Sequence, residues 1–271
     1  MFGTSSRRER TVRGIQSEVV RVAFVGKGGA GKSSIAGTFA RVLAATGRPV
    51  LALDSDPMPG LAFAIGVANV DAGIPDDAME SYDEGGRRRY RLRAGLSADG
   101  VVQEYAVRGP DGVRFLQLGK ARGARWNNAS AHAAFQRVID ELPVQDWHVV
   151  GDLPAGTRQA FQGWSRYATT LVVVVEPTAA SILSGRRLAR LANMSTAPRV
   201  LLVASQVRQP ADAQDVAART GLPLVGSVPF DPLLRDAARA GRAPMDHDPD
   251  APAVQAVASL VRNLLAEGEP A

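Results

Sequence analysis

A chain of 271 residues with 45% hydrophobic content can bury a sizeable core, and a single α/β domain commonly reaches this length. It holds no cysteine, which excludes disulfides, thiol chemistry, thiolate-held iron–sulfur clusters and cysteine-ligated zinc. The formal net charge of +5 permits contact with nucleic acid or an anionic surface without establishing either, and no apolar run is long enough to span a bilayer as a helix.

Residues 1–17 read as a basic, disordered tail without the apolar stretch of a secretory signal, so a cytoplasmic location is expected. From residue 18 to residue 268 the pattern is that of one domain built from repeated strand–turn–helix units. A buried strand is expected over Val19–Val25, then a helix over Lys32–Thr46 closed by Gly47, and a second strand over Pro49–Leu53. Asp54–Gly60 reads as a Pro/Gly-rich turn. Residues 79–128 break the rhythm as a less regular, partly β insert. They hold an arginine run (Arg87, Arg88, Arg89, Arg91 and Arg93), then strand-like VVQEYAV and VRFLQLG around a Gly-Pro-Asp-Gly turn.

Alternation resumes with a helix over Ala131–Leu142 and strands over Trp147–Asp152, Leu171–Val175, Val200–Ala204 and Leu224–Val228. Helices are expected near Ser181–Leu191, Ala211–Arg219, Pro232–Ala240 and Ala251–Leu265. Several of these strands are unbroken Val/Leu runs, as when helices cover both faces of a parallel sheet. The expected fold class is therefore α/β, a three-layer α/β/α domain with a mostly parallel central sheet.

The strongest local signal is Gly26-Lys-Gly-Gly-Ala-Gly31-Lys32-Ser33, which fits G-x-x-x-x-G-K-[ST] between a buried strand and a helix. Glycines let backbone N–H groups curl around a phosphate, and the helix N-terminus adds partial positive charge. Gly28, Gly29, Ala30, Gly31, Lys32, Ser33 and Ser34 are the expected nucleotide-binding residues. Lys32 would reach the β- and γ-phosphates, and the Ser33 hydroxyl would ligate Mg²⁺. Of 32 basic residues only Lys27, Lys32 and Lys120 are lysines, and two of the three share this loop. Lysine is a compact point charge where arginine is a planar fork, so the loop asks for the point charge twice.

Two further carboxylate segments follow expected strands. In LALDSDPMPGL, Asp54 and Asp56 stand where ligands of open α/β sheets bind. In WHVVGDLPAG, an apolar strand ends in Asp152, with Gly156 four residues on. That is the D-x-x-x-G form of a metal-holding acid followed by a phosphate-sensing glycine. No Asn-Lys-x-Asp guanine motif is present, so ATP is the expected nucleotide.

The G-K-G-G-x-G-K-[ST] loop resembles the deviant Walker A motif of the MinD/ParA-like ATPases, and the likeness runs from about Val19 to Leu265. Within that family the chain is most similar to the CooC-like branch of accessory ATPases. The resemblance implies ATP and Mg²⁺ as cofactors and slow hydrolysis without a partner. It further implies an ATP-dependent homodimer in which Lys27 reaches across to the second copy's phosphates. It gives Asp56 the task of orienting the attacking water, Asp54 support of the loop or metal shell, Asp152 Mg²⁺ through water, and Gly156 the sensing of the γ-phosphate. Gln206 stands beside the place of an adenine-reading asparagine, and the backbone near Pro229 and Phe230 would flank the base.

Departures are informative. Gly60-Leu61 replaces an Asn-Leu pair, Ser205-Gln206 replaces the asparagine, and ARWNNAS lacks the branch's metal-binding cysteine pair. His247 lies among Asp246, Asp248 and Asp250, a run that reads as the loop before the final helix. That helix carries one arginine before Glu267 and Glu269 and reads as a docking helix, not a membrane anchor. The expected function is an ATP-hydrolysing dimerisation switch that positions, assembles or matures an unidentified partner. The alternatives are a nucleotide-gated adaptor with negligible turnover, and an ATPase riding on non-specific DNA through Arg7, Arg8, Arg10, Arg13 and the 87–93 run.

Overall fold

The computed structural model describes residues 19–56, 60–67, 73–117, 128–142, 146–156, 159–161, 163–194 and 198–266. The expected tail over residues 1–17 lies outside them, as do Lys120 and most of ARWNNAS. The chain opens with β1 (Arg21–Gly26), α1 (Lys32–Ala44), β2 (Val50–Asp54) and α2 (Gly60–Ile65). A hairpin of β3 (Met79–Glu84) and β4 (Arg87–Leu92) follows, then α3 (Ala98–Tyr105), β5 (Val107–Arg108) and β6 (Arg114–Gln117). Next come α4 (Asn128–Glu141), β7 (His148–Asp152), β8 (Thr170–Val175), α5 (Ala179–Asn193), β9 (Arg199–Val207), α6 (Pro210–Thr220) and β10 (Leu224–Pro229). The helices α7 (Pro232–Arg239), α8 (Pro244–His247) and α9 (Pro252–Ala266) complete the described chain.

Eight strands form one sheet in the order β10-β9-β8-β1-β7-β2-β6-β5, parallel except where β5 meets β6. Side chains of a strand alternate between faces, so β1 feeds two cores. Ala23 and Val25 join the core beneath α3, α4, α5 and α6, while Val22 and Phe24 join the core beneath α1, α2 and α9. The same split holds along β8, with Leu171, Val173 and Val175 on one side and Val172 and Val174 on the other. This is the expected three-layer α/β/α architecture. Burying both faces explains the unbroken Val/Leu runs.

The segment over 79–128 differs from its expected form in one respect. VVQEYAV is mostly helix, because Ser97 caps α3 by accepting from the Gly100 N–H at 3.1 Å. Ala98, Val101 and Val102 then fall on one buried face at helical spacing. VRFLQLG does supply a strand, β6, which pairs with β2 and so belongs to the central sheet. The Asp54–Gly60 turn also ends earlier than expected. Gly60 is the first residue of α2, whose Leu61 N–H donates to Asp54 Oδ2 at 3.1 Å.

No helix among the described residues is long and apolar enough to cross a membrane. Helix α9 buries Ala253, Val254, Val257, Leu260, Val261 and Leu264 against the sheet and α1. It is a docked helix, as its composition suggests.

Candidate functional site

The parallel strands deliver their C-terminal ends to one edge of the sheet, where the loops after β1, β2, β7, β9 and β10 meet. The loop after β1 wraps from Gly26 to the start of α1. Gly26 must lack a side chain, since a Cβ there would stand 2.4 Å from the Val174 carbonyl oxygen. Gly31, the N-cap of α1, has φ +84°, a left-handed value that glycine adopts without strain. Its absent Cβ also leaves room for the Ser205 hydroxyl, which would lie 3.1 Å away. Gly31 offers no side-chain acceptor, and the first turn of α1 carries no acidic residue. The N–H groups opening α1 therefore lack an anionic partner from their own helix, the arrangement that suits a bound phosphate.

Lys32 and Ser33 both converge on Asp152. The Lys32 ammonium contacts Asp152 Oδ1 and the Ser33 hydroxyl donates to Oδ2 at 2.5 Å. Burial pushes the Asp152 carboxyl up, and Lys32 and Ser33 pull it back. Asp54 stands in register beside Asp152, on the neighbouring strand. Burial first, and the Asp152 charge second, push Asp54 up to about 8, against the N–H groups of Asp56 and Leu61 that it accepts. Asp56 N donates to Asp54 Oδ1 at 2.9 Å, turning the chain so that Asp56 lines the cleft while Asp54 stays buried beneath it. Gly156, at φ +136°, donates its N–H to the Gly26 carbonyl at 3.5 Å, joining the loop after β7 to the loop after β1.

These elements border a cleft of about 730 Å³, a volume common to small-molecule sites. Lys27, Gly28, Gly29, Lys32, Ser33 and Ser34 of the loop line it together with Gln206, Pro229 and Phe230. The Phe230 ring is flanked by two guanidiniums, Arg208 at 3.9 Å and Arg235 at 4.9 Å from its centroid. The expected loop, carboxylate and base-side residues thus share one site. Ala30 lies behind the loop, fully buried, with its N–H on the Lys27 carbonyl. The donor set suits magnesium, because the Ser33 hydroxyl and the Asp152 carboxylate are hard oxygen donors already side by side.

Gln206, which lines the cleft, is also bonded within the chain. Its carboxamide donates to the Gly29 carbonyl at 3.0 Å and to Glu176 Oε2 at 3.1 Å. Glu176 and Gln117 are participants that sequence reasoning missed. Gln117 is buried and donates to the Asp56 carbonyl at 3.4 Å, fixing the turn after β2. Glu176 carried a readable signal, a lone acid ending the apolar run of β8 at the ligand-binding edge of the sheet.

Other sequence candidates fall outside the cleft. The β4 arginines lie on the hairpin, where Arg91 pairs with Glu80 at 2.6 Å and Arg89 with Glu84 at 3.1 Å, while Arg93 reaches Glu104 at 3.5 Å. The four tail arginines are outside the described residues. Asp246 pairs with Arg41 at 2.5 Å, and Asp248 accepts from the Asp250 N–H at 3.0 Å. Among the described residues no group of three or more His, Asp or Glu could hold a metal ion.

Comparison with known proteins agrees with this geometry. The profile of the CobQ/CobB/MinD/ParA nucleotide binding domain matches residues 22–245. The chain is 28% identical over 247 residues to the carbon monoxide dehydrogenase accessory protein CooC of Rhodospirillum rubrum, covering 85% of this chain and 91% of that protein. Its fold is similar to the septum site-determining protein MinD of Pyrococcus horikoshii complexed with Mg-ADP, with a TM-score of 0.67 at 18% identity over 91% of this chain and 96% of the other. A ParA family ATPase of Chlorobium tepidum gives a TM-score of 0.68 at 17% identity, over 91% and 99%. Since that profile covers most of its length, the chain belongs to the CobQ/CobB/MinD/ParA family of nucleotide-binding domains.

Proposed function

We propose that the protein is an ATP-driven dimerisation switch. ATP closes a homodimer, hydrolysis reopens it, and the cycle drives the positioning, assembly or maturation of a partner. The observation that carries this reading is the division of labour between two lysines of one loop. The Lys32 side chain is 8% exposed and committed to Asp152, whereas that of Lys27 is 39% exposed at the cleft's mouth. One chain's phosphates need only the first, which leaves the second for a facing copy.

Within one chain, the loop amides and Lys32 would bind the phosphates, and Ser33 and Asp152, the latter through water, would hold Mg²⁺. The metal supplies charge neutralisation to the phosphates. Asp56, in the cleft, would orient water, and the Gly156 amide would report loss of the γ-phosphate through its link to Gly26. Gly60 supports slow turnover: a Cβ there would lie 2.8 Å from Ser33 Oγ, so an asparagine could not enter without moving Ser33. The same feature favours the second reading, an adaptor with negligible hydrolysis. The absence of cysteine argues against a thiolate-held metal as cargo, despite the likeness to CooC.

Light scattering with Mg-ATP tests the switch. Wild type should dimerise with ATP and not with ADP, and Lys27→Ala should remain monomeric while still binding ATP. Lys32→Ala should lose nucleotide binding, and Asp56→Ala should bind without hydrolysing. Dimerisation of Lys27→Ala at the wild-type ATP dependence would remove the cross-subunit role. Phosphate release under any condition, partner present or absent, would rule out the pure adaptor.

A further inference from the structure

Lys27 is not an idle surface lysine in the isolated chain. Its ammonium lies 3.5 Å from Glu176 Oε1 and 3.5 Å from the Gly28 carbonyl. Glu176 is itself fixed by several bonds. Thr178 Oγ1 donates to Oε1 at 3.2 Å, Gln206 Nε2 donates to Oε2 at 3.1 Å, and the Glu176 N–H donates to Ser181 Oγ at 3.1 Å. Thr178 is in turn the N-cap of α5, so the carboxylate sits on a rigid strand–helix junction with its side chain only 16% exposed. Gln206 extends the unit into the phosphate loop by its second bond, to the Gly29 carbonyl at 3.0 Å. It does so at φ +56°, a conformation uncommon for a residue other than glycine and held here by both carboxamide bonds.

We propose that Glu176 is a latch on Lys27. It holds the ammonium on its own subunit in the open state, so that closure of the homodimer requires this ion pair to break. The inference rests on the dimer-switch reading and adds its regulation. Glu176 is a positioning residue, since it acts through Lys27 and Gln206 and touches no phosphate. Electrostatically it is a local competitor for the charge that a second copy's phosphates would otherwise attract. Gln206 ties the latch to the loop, because the carboxamide that holds Glu176 Oε2 also holds the Gly29 carbonyl.

The Glu176→Gln variant tests this with little risk to folding. The carboxamide oxygen can take the place of Oε2 and accept from Gln206, while the NH₂ in the place of Oε1 donates to the Thr178 hydroxyl, so what is lost is the charge and the acceptor facing Lys27. With three lysines in the chain, amine acylation followed by peptide mass spectrometry reads each one separately. In the nucleotide-free protein, Lys27 should label about two- to fivefold more in the variant, the range expected from a half-exposed ion pair, with Lys120 as the internal reference. A two-fold symmetric dimer breaks two latches, so its dissociation constant with a non-hydrolysable ATP analogue should fall by the square, about four- to twenty-fivefold. Equal labelling of Lys27 overturns the latch whatever the dimer does. Raised labelling with an unchanged dimer constant overturns its control of closure. If neither protein dimerises at any concentration, the switch reading itself fails and control of closure fails with it, while the labelling still reports whether the ion pair exists.

Discussion

Gly151 precedes Asp152 in β7, and a Cβ on it would stand 1.5 Å from the Tyr167 hydroxyl and 2.6 Å from the ring carbon that bears it. Tyr167 is buried, its hydroxyl has no hydrogen-bond partner among the described residues, and burial together with the charges of Asp152 and Asp54 pushes its ionisation up. The phenol is thus a neutral filler pressed under the backbone that carries Asp152. Gly151→Ala should cost at least the 1–3 kcal/mol typical of overpacking, a fall of roughly 2–12 °C in Tm for a chain of this size. Tyr167→Phe deletes an unsatisfied buried hydroxyl and should be neutral or slightly stabilising by the same thermal measurement. Combined, the two should recover only part of the loss, because the ring carbon still lies within contact distance. Full additivity of the two effects would show that Tyr167 is not what Gly151 accommodates.

At the scale of elements, β1 and β7 begin side by side, and the His148 ring is buried between them with Nδ1 accepting from the Val20 N–H at 2.9 Å. That bond puts the ring's proton on Nε2, which has no partner among the described residues. Burial, reinforced by the Arg48 charge, lowers the His148 pKa to about 4. A lowered histidine pKa means that the unfolded chain binds the extra proton first. The contribution to stability is therefore full above about pH 6.5 and lost as pH falls toward 4, by roughly 1–3 kcal/mol. Urea unfolding at pH 7 and 4.5 should show that loss in wild type, and His148→Gln, which keeps an acceptor but does not titrate, should lack that part of it. An identical pH dependence in the two proteins would refute the assignment. The elements differ in how far the sequence discloses them. The phosphate loop and Asp152 are legible because their geometry is local: glycines at forced backbone angles, a helix start, and an acid ending an apolar strand. Helix α3 is not, since its valines suit a strand, and only the Ser97 cap and burial at helical spacing decide otherwise. The Glu176–Gln206 pair is illegible for another reason. Thirty residues separate the two, and only the pairing of β8 with β9, Val175 beside Ala204, brings them together.

At the scale of the whole molecule, the cleft is assembled from the ends of strands β9 and β10, the loops after β1 and β7, the turn after β2, the first turns of α1 and α9 and one side of α7, so pieces far apart in the chain must all be in place to form it. A ligand that binds only when those pieces are in place stabilises the fold by mass action, about 2.7 kcal/mol at a hundred times its dissociation constant. For a domain of this size that corresponds to a rise in Tm of roughly 5–11 °C. Mg-ATP should therefore raise Tm even at protein concentrations too dilute for dimers if, as proposed, Lys32 and the loop amides make the phosphate contacts within one chain. Lys32→Ala should abolish the rise. It should also lower the Tm of the nucleotide-free protein, since Asp152 would lose one of its two side-chain partners while remaining buried. Lys27→Ala should keep the rise at the same dilution if, as proposed, Lys27 serves a second copy's phosphates and pairs with Glu176 within its own chain. The two substitutions thus separate binding from closure with one instrument. If Lys27→Ala erased the thermal shift as completely as Lys32→Ala, both lysines would be serving a single chain's phosphates, and the division of labour within the loop would be wrong.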